Sequence, residues 1–418
     1  MTINGQWLPQ WQPLIDTFAA NFSQGQSQGQ SQGQSQGQGE EGAALALVHR
    51  GELVVNVWAG HRSNKLAGLE RVEWSEDTLV NIFSAGKGLV ALCILQLVAE
   101  GKLQLDEPVA SIWPDFTHVD KGAQAENGAI TLRQLLCHRT GLSAFHQHIP
   151  NEQIFNWELM TQAAAAEMPW WEPDTAQGYS PFMFGWILGE LVKRASGYTS
   201  FNAYFQAKVA QPLGVNCHFG VPEYLLDTIA DTGPLKRPLG VAASSTGADS
   251  IALGKLMKAD PRGVTNRAFS NPISLMTATN SREWRQAQIP AAGAHADARA
   301  LATIYGALAN TQQDLLAASV LPLCWQQQSF DDDRTLGLPL RFSHGFMLSQ
   351  HDRADCRYGR GARAFGHPGA GGCVGFADPD YQVGFGYVTH RMGQNILIDE
   401  RAVRLIDAAY HILEQENV

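Results

Sequence analysis

Ser84 and Lys87 are the first residues whose types and spacing could do chemistry. They lie where a β-branched stretch gives way to the apolar run 89–99, in which only Gln96 is polar, and this run predicts a buried helix beginning at or beside Ser84. Positions i and i+3 are neighbours in a first helical turn, so the Lys87 amine can reach the Ser84 hydroxyl. A lysine whose pKa is lowered by burial could then accept the serine proton and create a nucleophile.

The pair is weak evidence alone, because a serine N-cap followed by a solvated lysine is an equally ordinary interpretation. A second motif starts at Tyr179, which precedes a candidate N-cap, Ser180, and a candidate first helical residue, Pro181. The predicted helix runs over 182–195 and stops at Gly197. A phenol held near two cationic or donor groups could shuttle a proton between the serine and a leaving group, whereas the alternative is a core aromatic.

His367 belongs to a third motif, the glycine-rich segment 366–372, which enters a predicted strand over 373–377. Glycines allow a backbone to run close beside a ligand, and this favours an edge strand lining a cleft. His367 could donate a hydrogen bond to Tyr179 or to a substrate, or it could be a strand-end histidine satisfied by backbone.

In this order and at these separations, the three motifs resemble those of the serine β-lactamase and penicillin-binding-protein superfamily. More narrowly, the chain looks like a family VIII carboxylesterase, a group similar to class C β-lactamases that hydrolyses esters. The resemblance covers nearly the whole chain except residues 23–40. Further stretches that fit it are 132–142, 169–173, 211–214 and 386–392.

The fold class predicted from the patterns is α+β. Residues 44–48 with 53–59, and 373–377 with 382–388, read as two strand pairs joined by tight turns, one near each end of the chain. The middle is mainly helical in pattern, so one antiparallel sheet closed by both chain ends is expected, flanked by helices and with a helical region inserted. The resemblance implies the same β-lactamase-like architecture, with the active site at the junction.

This architecture divides the chain into a sheet part, residues 1–82 and 330–418, and a mainly helical part, residues 83–329, which carries the nucleophile helix. Residues 23–38 are four copies of Ser-Gln-Gly-Gln. Such a polar tract cannot bury enough apolar surface to become ordered, so we expect a disordered insertion over 23–40.

The resemblance also implies roles for individual residues. Ser84, Lys87 and Tyr179 would be catalytic, and the backbone N–H groups of Ser84 and Ala370 would form the oxyanion hole. His367 stands where β-lactamases carry the lysine of a Lys-Thr-Gly motif. The substrate would meet His367 and Gly369, and aromatic residues that could wall an acyl pocket, or equally belong to the core, are Trp170, Trp171, Phe182 and Phe184.

Two departures from the β-lactamase pattern favour an ester as substrate. Pro181 stands where β-lactamases usually have asparagine, so an amide that would bind Lys87 is missing, and His367 removes a fixed cation near a substrate carboxylate. A small uncharged ester needs neither contact. The function predicted is therefore hydrolysis of small carboxylic esters through an acyl-enzyme on Ser84. A β-lactamase or a D-amino-acid peptidase or amidase using the same residues stays open, as does a non-catalytic scaffold.

Composition narrows partners and location. A net charge of −10 over 418 residues without a basic stripe argues against nucleic acid, and the longest apolar run is too short for the about 20 residues of a membrane span. No lysine or arginine precedes Arg50, so no secretory n-region is seen and the cytoplasm is the expected location. The six cysteines are scattered without a C-x-x-C pair, and His146 and His148 match no zinc framework, so neither metal nor cofactor is expected.

Overall fold

A computed structural model describes residues 1–23, 39–116, 129–234, 248–310, 315–393 and 395–416. Most of the tract predicted to be a disordered insertion, residues 24–38, lies outside these ranges. The strands are β1 (Ile3–Trp7), β2 (Gly42–His49), β3 (Glu52–Asn64), β4 (Leu69–Glu73), β5 (Leu79–Asn81), β6 (Cys217–Phe219), β7 (Ile229–Ala230), β8 (Gly233–Pro234), β9 (Ala294–Ala296), β10 (Ser329–Asp332), β11 (Pro339–Phe342), β12 (Met347–Leu348), β13 (Phe365–Pro368), β14 (Val374–Asp378), β15 (Val383–Thr389) and β16 (Arg391–Met392). The helices are α1 (Gln12–Ser23), α2 (Gly86–Ala99), α3 (Leu132–Leu136), α4 (Trp157–Ala166), α5 (Met183–Ser196), α6 (Phe201–Phe205), α7 (Gln211–Leu213), α8 (Ala248–Ala259), α9 (Val264–Ser270), α10 (Ser274–Thr277), α11 (Arg282–Gln286), α12 (Ala298–Ala309) and α13 (Glu400–Glu416).

The main sheet is antiparallel and contains strands from both ends of the chain, in the order β1-β3-β2-β15-β14-β13-β12-β11-β10, with β4 also paired to β3. Strands β2 and β15 join the two ends, from His49 opposite Val383 to Ala43 opposite Thr389. This confirms the predicted α+β fold. The strands are longer than expected in places, since β3 continues to Asn64 where the pattern ended at Ala59.

Helices cover both faces of the sheet, which explains why β15 is buried along its whole length. Helix α12 packs on β2, β14 and β15 from one side, and α1 and α13 pack together on the other. Glycines in β15 let α12 lie close to the strand. A Cβ at Gly384 would sit 2.1 Å from Gly306 N, and one at Gly386 would sit 2.2 Å from Ala298 O.

A second, smaller sheet that the sequence patterns did not indicate has the order β6-β9-β5-β7, and all of its strands except β5 lie in the inserted region. Strand β5 leads directly into the nucleophile segment. Helix α2 follows and is buried on nearly all sides, as its apolar sequence predicted. The region is therefore not only helical, because short strands hold the start of its central helix.

The strand predicted at the sheet edge over 373–377 is β14, and it lies inside the sheet because β13 and β15 pair with it on opposite sides. Strand β13, which carries His367, precedes it and also has two neighbours, β14 and β12. The pairing with β12 involves only Phe365 and Gly366. Among the described strands, the last two residues of β13 are thus paired on the β14 side alone. The strand end is therefore open on one side even though the strand lies inside the sheet.

Candidate active site

Ser84 lies in a tight turn between β5 and α2. Residues Phe83–Ala85 form a single 3-10 turn, and Phe83 has φ +48°, a conformation that a bulky residue adopts only when its surroundings impose it. Asn81 Oδ1 accepts the Phe83 N–H at 3.0 Å, and Ala294 O in β9 accepts the Ile82 N–H at 2.9 Å. These contacts fix the half-buried Ser84 at the entrance of the central helix.

Lys87 has no exposed surface, and its Nζ lies 2.9 Å from Ser84 Oγ. The same atom donates to Pro181 O at 2.7 Å and to Ala291 O at 2.9 Å. Burial holds the pKa of Lys87 well below its ordinary value. Because two carbonyls each take one N–H, a neutral amine here can turn its lone pair toward the serine hydroxyl. Lys87 is therefore placed to act as a base on Ser84.

Tyr179 is buried, and its side chain is hydrogen-bonded to that of Ser84. Lys87 Nζ lies 4.9 Å from the centre of its ring. Burial raises the pKa of Tyr179 above its ordinary value, so the phenol keeps its proton at neutral pH. The sequence-based hypothesis invoked cationic neighbours that would ease ionisation. The pKa of Lys87 is itself lowered, so Tyr179 is better suited to donate a proton than to stand as an anion.

Asp333 anchors the main chain at Tyr179 and was not identified from the sequence. Its Oδ2 accepts the Tyr179 N–H at 2.7 Å, while Oδ1 accepts the N–H groups of Thr335 and Leu336 at 3.0 and 2.9 Å. Burial raises the pKa of Asp333 to about 6. The only signal in the sequence is a run of three aspartates, 331–333, and nothing in its pattern points to Tyr179.

His367 is the penultimate residue of strand β13 and is buried. Its Nδ1 donates to Pro368 O at 2.8 Å, which leaves Nε2 as an acceptor, and burial beside Lys87 lowers its pKa to about 3. The imidazole ring is 6.0 Å from the Tyr179 ring. His367 is thus a strand-end histidine bonded to backbone, as one interpretation had it, and it also adjoins the catalytic tyrosine candidate.

A second neutral histidine, His138, also packs against Tyr179, and no catalytic role was expected for it from the sequence. The two rings are 5.0 Å apart, and His138 Nδ1 accepts the Ser180 N–H at 3.2 Å. Burial, with Lys87 and His367 nearby, lowers the pKa of His138 well below its ordinary value. Tyr179 therefore has two uncharged imidazoles as neighbours.

The loop that follows β13 comes directly against the nucleophile turn. A Cβ at Gly369 would lie 2.1 Å from Ile82 O, so only glycine permits this approach. Ala370 follows, half-buried, and Gly369 N–H closes the loop on Cys373 O at 2.6 Å. Among the turn and loop hydrogen bonds of the described residues, none uses the N–H of Ser84 or of Ala370. Both donors are available to a ligand.

The aromatic candidates lie around this centre without a described contact to Ser84. Trp171 packs against Gly178, where a Cβ would lie 2.2 Å from its ring, and Phe182 is half-buried beside Pro181. Their role as pocket walls stays a prediction. Trp170 stacks on His146 at 4.1 Å between ring centres.

Two other expectations concern histidine and cysteine. His146 Nδ1 lies 2.5 Å from Glu167 Oε1, and no group of three or more potential metal ligands occurs in the part of the chain that the structure describes. All six cysteines are free and buried. Within the same described ranges, no helix has the length and apolar character needed to cross a bilayer.

The fold is of the class that the three motifs indicated, and comparison with known proteins identifies the family. A family model described as Beta-lactamase matches residues 18–408, so the chain belongs to the beta-lactamase family. It is similar to the Esterase/beta-lactamase LipL of Mycobacterium tuberculosis (strain ATCC 25618 / H37Rv), with 29% identity over 380 residues that cover 90% of this chain and 82% of LipL.

Solved structures agree with this assignment. A family VIII carboxylesterase crystal structure matches 99% of this chain and 100% of its own, with a TM-score of 0.81 and 32% identity. A penicillin-binding protein homolog from Caulobacter crescentus matches the same shares with a TM-score of 0.81 and 30% identity. The predicted superfamily and the resemblance to family VIII carboxylesterases are both confirmed, as is the predicted class, a hydrolase similar to carboxylesterases.

Proposed function

We propose that the protein hydrolyses small uncharged carboxylic esters through an acyl-enzyme on Ser84. The observation that carries this proposal is the contact of Lys87 Nζ with Ser84 Oγ in a fully buried environment. A nucleophile with an adjacent base of lowered pKa is the arrangement that acyl transfer needs. The esterase named among its relatives and the carboxylesterase of similar fold support the choice of ester.

In the proposed mechanism, Ser84 Oγ attacks the ester carbonyl while its proton passes to Lys87. The negative charge that develops on the carbonyl oxygen is met by the N–H groups of Ser84 and Ala370. Tyr179 then gives its phenolic proton to the departing alkoxide, and the Lys87 ammonium, with Nζ 4.9 Å from the centre of the tyrosine ring, returns a proton to the phenolate. Water attacks the acyl-enzyme by the same route in reverse, and the acid and Ser84 are released.

Charge supports an uncharged substrate over a β-lactam or a peptide with a free carboxylate. The imidazole of His367, with a pKa near 3, supplies no cation at neutral pH. Pro181 offers only a backbone carbonyl, and that carbonyl already accepts from Lys87. An anionic substrate group beside these acceptors would lose its hydration without gaining a partner. We propose that Gly369, Trp171 and Phe182 contact the substrate with His367.

A cytoplasmic location and a small-molecule partner are part of the proposal. Six free, buried thiols suit a reducing compartment. The net charge of −10 gives no support to nucleic acid as a partner.

The test is hydrolysis of p-nitrophenyl acetate and butyrate beside the β-lactam nitrocefin, with purified wild type and Ser84→Ala in parallel. We expect ester turnover that falls at least a thousandfold in Ser84→Ala, and little nitrocefin turnover. Rapid, Ser84-dependent nitrocefin turnover would put the lactamase or peptidase alternative first. No Ser84-dependent turnover of any substrate would reject the proposal and favour a non-catalytic scaffold.

A further inference from the structure

A buried arginine from the last helix reaches the loop that carries Ala370. The loop, residues 369–372, is called the glycine loop below. Arg401 in α13 donates from Nη2 to Gly371 O at 2.7 Å, and the Gly393 N–H donates to the same oxygen at 2.7 Å. The Gly371 carbonyl is separated from the Ala370 N–H by a single intervening peptide group, so the contact holds the chain close to this donor.

Arg401 is itself held on its other two sides. Its Nη1 donates to Glu40 Oε1 at 2.8 Å and its Nε to Asp399 Oδ1 at 2.7 Å, with Arg401 and Glu40 exposed by no more than 5% of their side chains. Glu40 is fixed in turn by the hydroxyls of Tyr387 and Thr389 in β15, the second at 2.7 Å. The guanidinium thus makes three contacts in three directions at once.

The glycine loop needs such support because its own conformation is unusual. Gly371 and Gly372 have φ of +87° and +137°, in the region that favours glycine. A Cβ at Gly371 would lie 2.7 Å from Met392 Cβ, and one at Gly372 would lie 2.8 Å from Arg401 Nη2. Because glycine has little conformational preference of its own, the glycine loop depends on contacts with neighbouring residues to keep one conformation.

A role in stability alone would explain this network poorly. A buried ion pair recovers in Coulomb energy roughly what its desolvation costs, so burial of Arg401 contributes little to the free energy of folding. The planar fork of arginine can serve Glu40, Asp399 and a carbonyl together, whereas lysine brings one nitrogen. The residue type fits a positioning task.

We propose that Arg401, held by Glu40, is a positioning residue that sets the orientation of the Ala370 N–H in the oxyanion hole. This inference rests on the proposed function. It assigns a role in the proposed reaction to Arg401, which lies in the C-terminal helix α13, far in sequence from Ser84. Arg401 touches neither the substrate nor the reacting atoms.

The test compares p-nitrophenyl butyrate with its thiono analogue, in which sulfur replaces the carbonyl oxygen. Sulfur is larger and a weaker hydrogen-bond acceptor, so the ratio of the two kcat/KM values reports how well the oxyanion hole works. Loss of folded protein lowers both rates equally and leaves this ratio unchanged. We expect Arg401→Lys to lower the ratio about tenfold, as partial loss of one donor in the oxyanion hole would.

Arg285→Lys is the matched control, because Arg285 is also fully buried, is paired with Asp231 and Asn64, and has no contact with the glycine loop among the described residues. It should lose stability and keep the wild-type ratio. Glu40→Gln is the second variant, expected to lower the ratio at least threefold, and it carries the test if Arg401→Lys does not fold.

An unchanged ratio in both Arg401→Lys and Glu40→Gln would overturn the inference, as would an equal fall in Arg285→Lys. A wild type without Ser84-dependent ester turnover would overturn the proposed function, and the inference with it. If the wild type shows Ser84-dependent ester turnover but the Arg401→Lys and Glu40→Gln variants keep its kcat/KM ratio, only the inference is overturned.

Discussion

At the scale of single residues, the site depends on what surrounds Lys87. A lysine in water is a cation, but here burial disfavours the charge, and two backbone carbonyls occupy two of its three donor directions. The third direction faces Ser84. Burial and these contacts thus set both the pKa of the Lys87 amine and its orientation, so that the amine can accept a proton from the Ser84 hydroxyl.

The corresponding prediction concerns pH. Lys87 acts as a base only when it is neutral, so kcat/KM of the wild type should fall as the pH drops through its lowered pKa. Lys87→Met should lower kcat/KM about 10²- to 10⁴-fold, the usual contribution of a general base, and abolish this acid limb. The measurement is the pH–rate profile with p-nitrophenyl butyrate. A residual rate that keeps the wild-type acid limb would assign the base to another group.

The sequence could single out Ser84, Lys87, Tyr179 and His367 as candidates because their side chain types can carry acid–base or nucleophilic chemistry. It could not identify the carbonyls of Pro181 and Ala291, since a backbone oxygen is present at every residue and only folding selects these two. Pro181 shows this most clearly. The absent asparagine amide was read as a lost contact to Lys87, and the proline's own backbone oxygen makes that contact instead.

At the scale of elements, helix α5 and the segment before β9 close around Lys87. Gly185 in the first turn of α5 lies so close to this segment that a Cβ there would be 2.2 Å from Ala291 N. Ala291 then offers its carbonyl to Lys87. The close approach of helix and segment therefore decides where one of the two carbonyls lies.

Gly185→Ala should displace Ala291, loosen Lys87 and lower kcat at least tenfold, together with the melting temperature. Gly254→Ala is the matched control, because Gly254 lies in helix α8 with open space around it. Alanine is a better helix former than glycine by about 1 kcal/mol, so the control should gain stability and keep its activity. Thermal unfolding and ester kinetics on both variants decide the matter. Wild-type kcat in Gly185→Ala would show that the packing does not control Lys87.

Element boundaries were predicted unevenly, for physical reasons. The stop of α5 at Gly197 is as expected, with φ +76°. The helix starts at Met183 rather than beside Pro181. Pro181 lies outside the helix, and its carbonyl accepts a hydrogen bond from Lys87. Ser180 Oγ nevertheless accepts the Phe184 N–H at 3.0 Å. Strands of two or three residues, such as β5 and β7, are too short to show the alternation of apolar and polar residues from which a strand is predicted.

At the scale of the whole molecule, both ends of the chain build the same sheet, and the glutamine-rich tract interrupts one of them. The tract leaves and re-enters at neighbouring points, since Glu40 N–H donates to Asn21 O at 3.0 Å. A segment whose two ends are adjacent can be shortened without pulling the fold apart.

Deletion of residues 25–37 should therefore leave kcat/KM within about twofold of the wild type. The shorter loop costs less closure entropy, so stability should be unchanged or higher by about 1 kcal/mol. Extending the deletion to residue 40 removes Glu40, one of the two carboxylates that hold Arg401, and should lower activity at least tenfold. Ester kinetics and thermal unfolding compare the two deletions. Equal activity would mean that Glu40 contributes nothing.

Strands β2 and β15 are neighbours in the sheet, yet more than 330 residues separate them in the chain. A ribosome making this protein therefore releases the serine, lysine and tyrosine long before the strand that completes the sheet and the helix that carries Arg401. While it is still being synthesised, the chain holds its reactive groups without the frame that makes them work together. We therefore expect a chain that stops before β15 to show no ester hydrolysis, because the sheet and Arg401 are then missing.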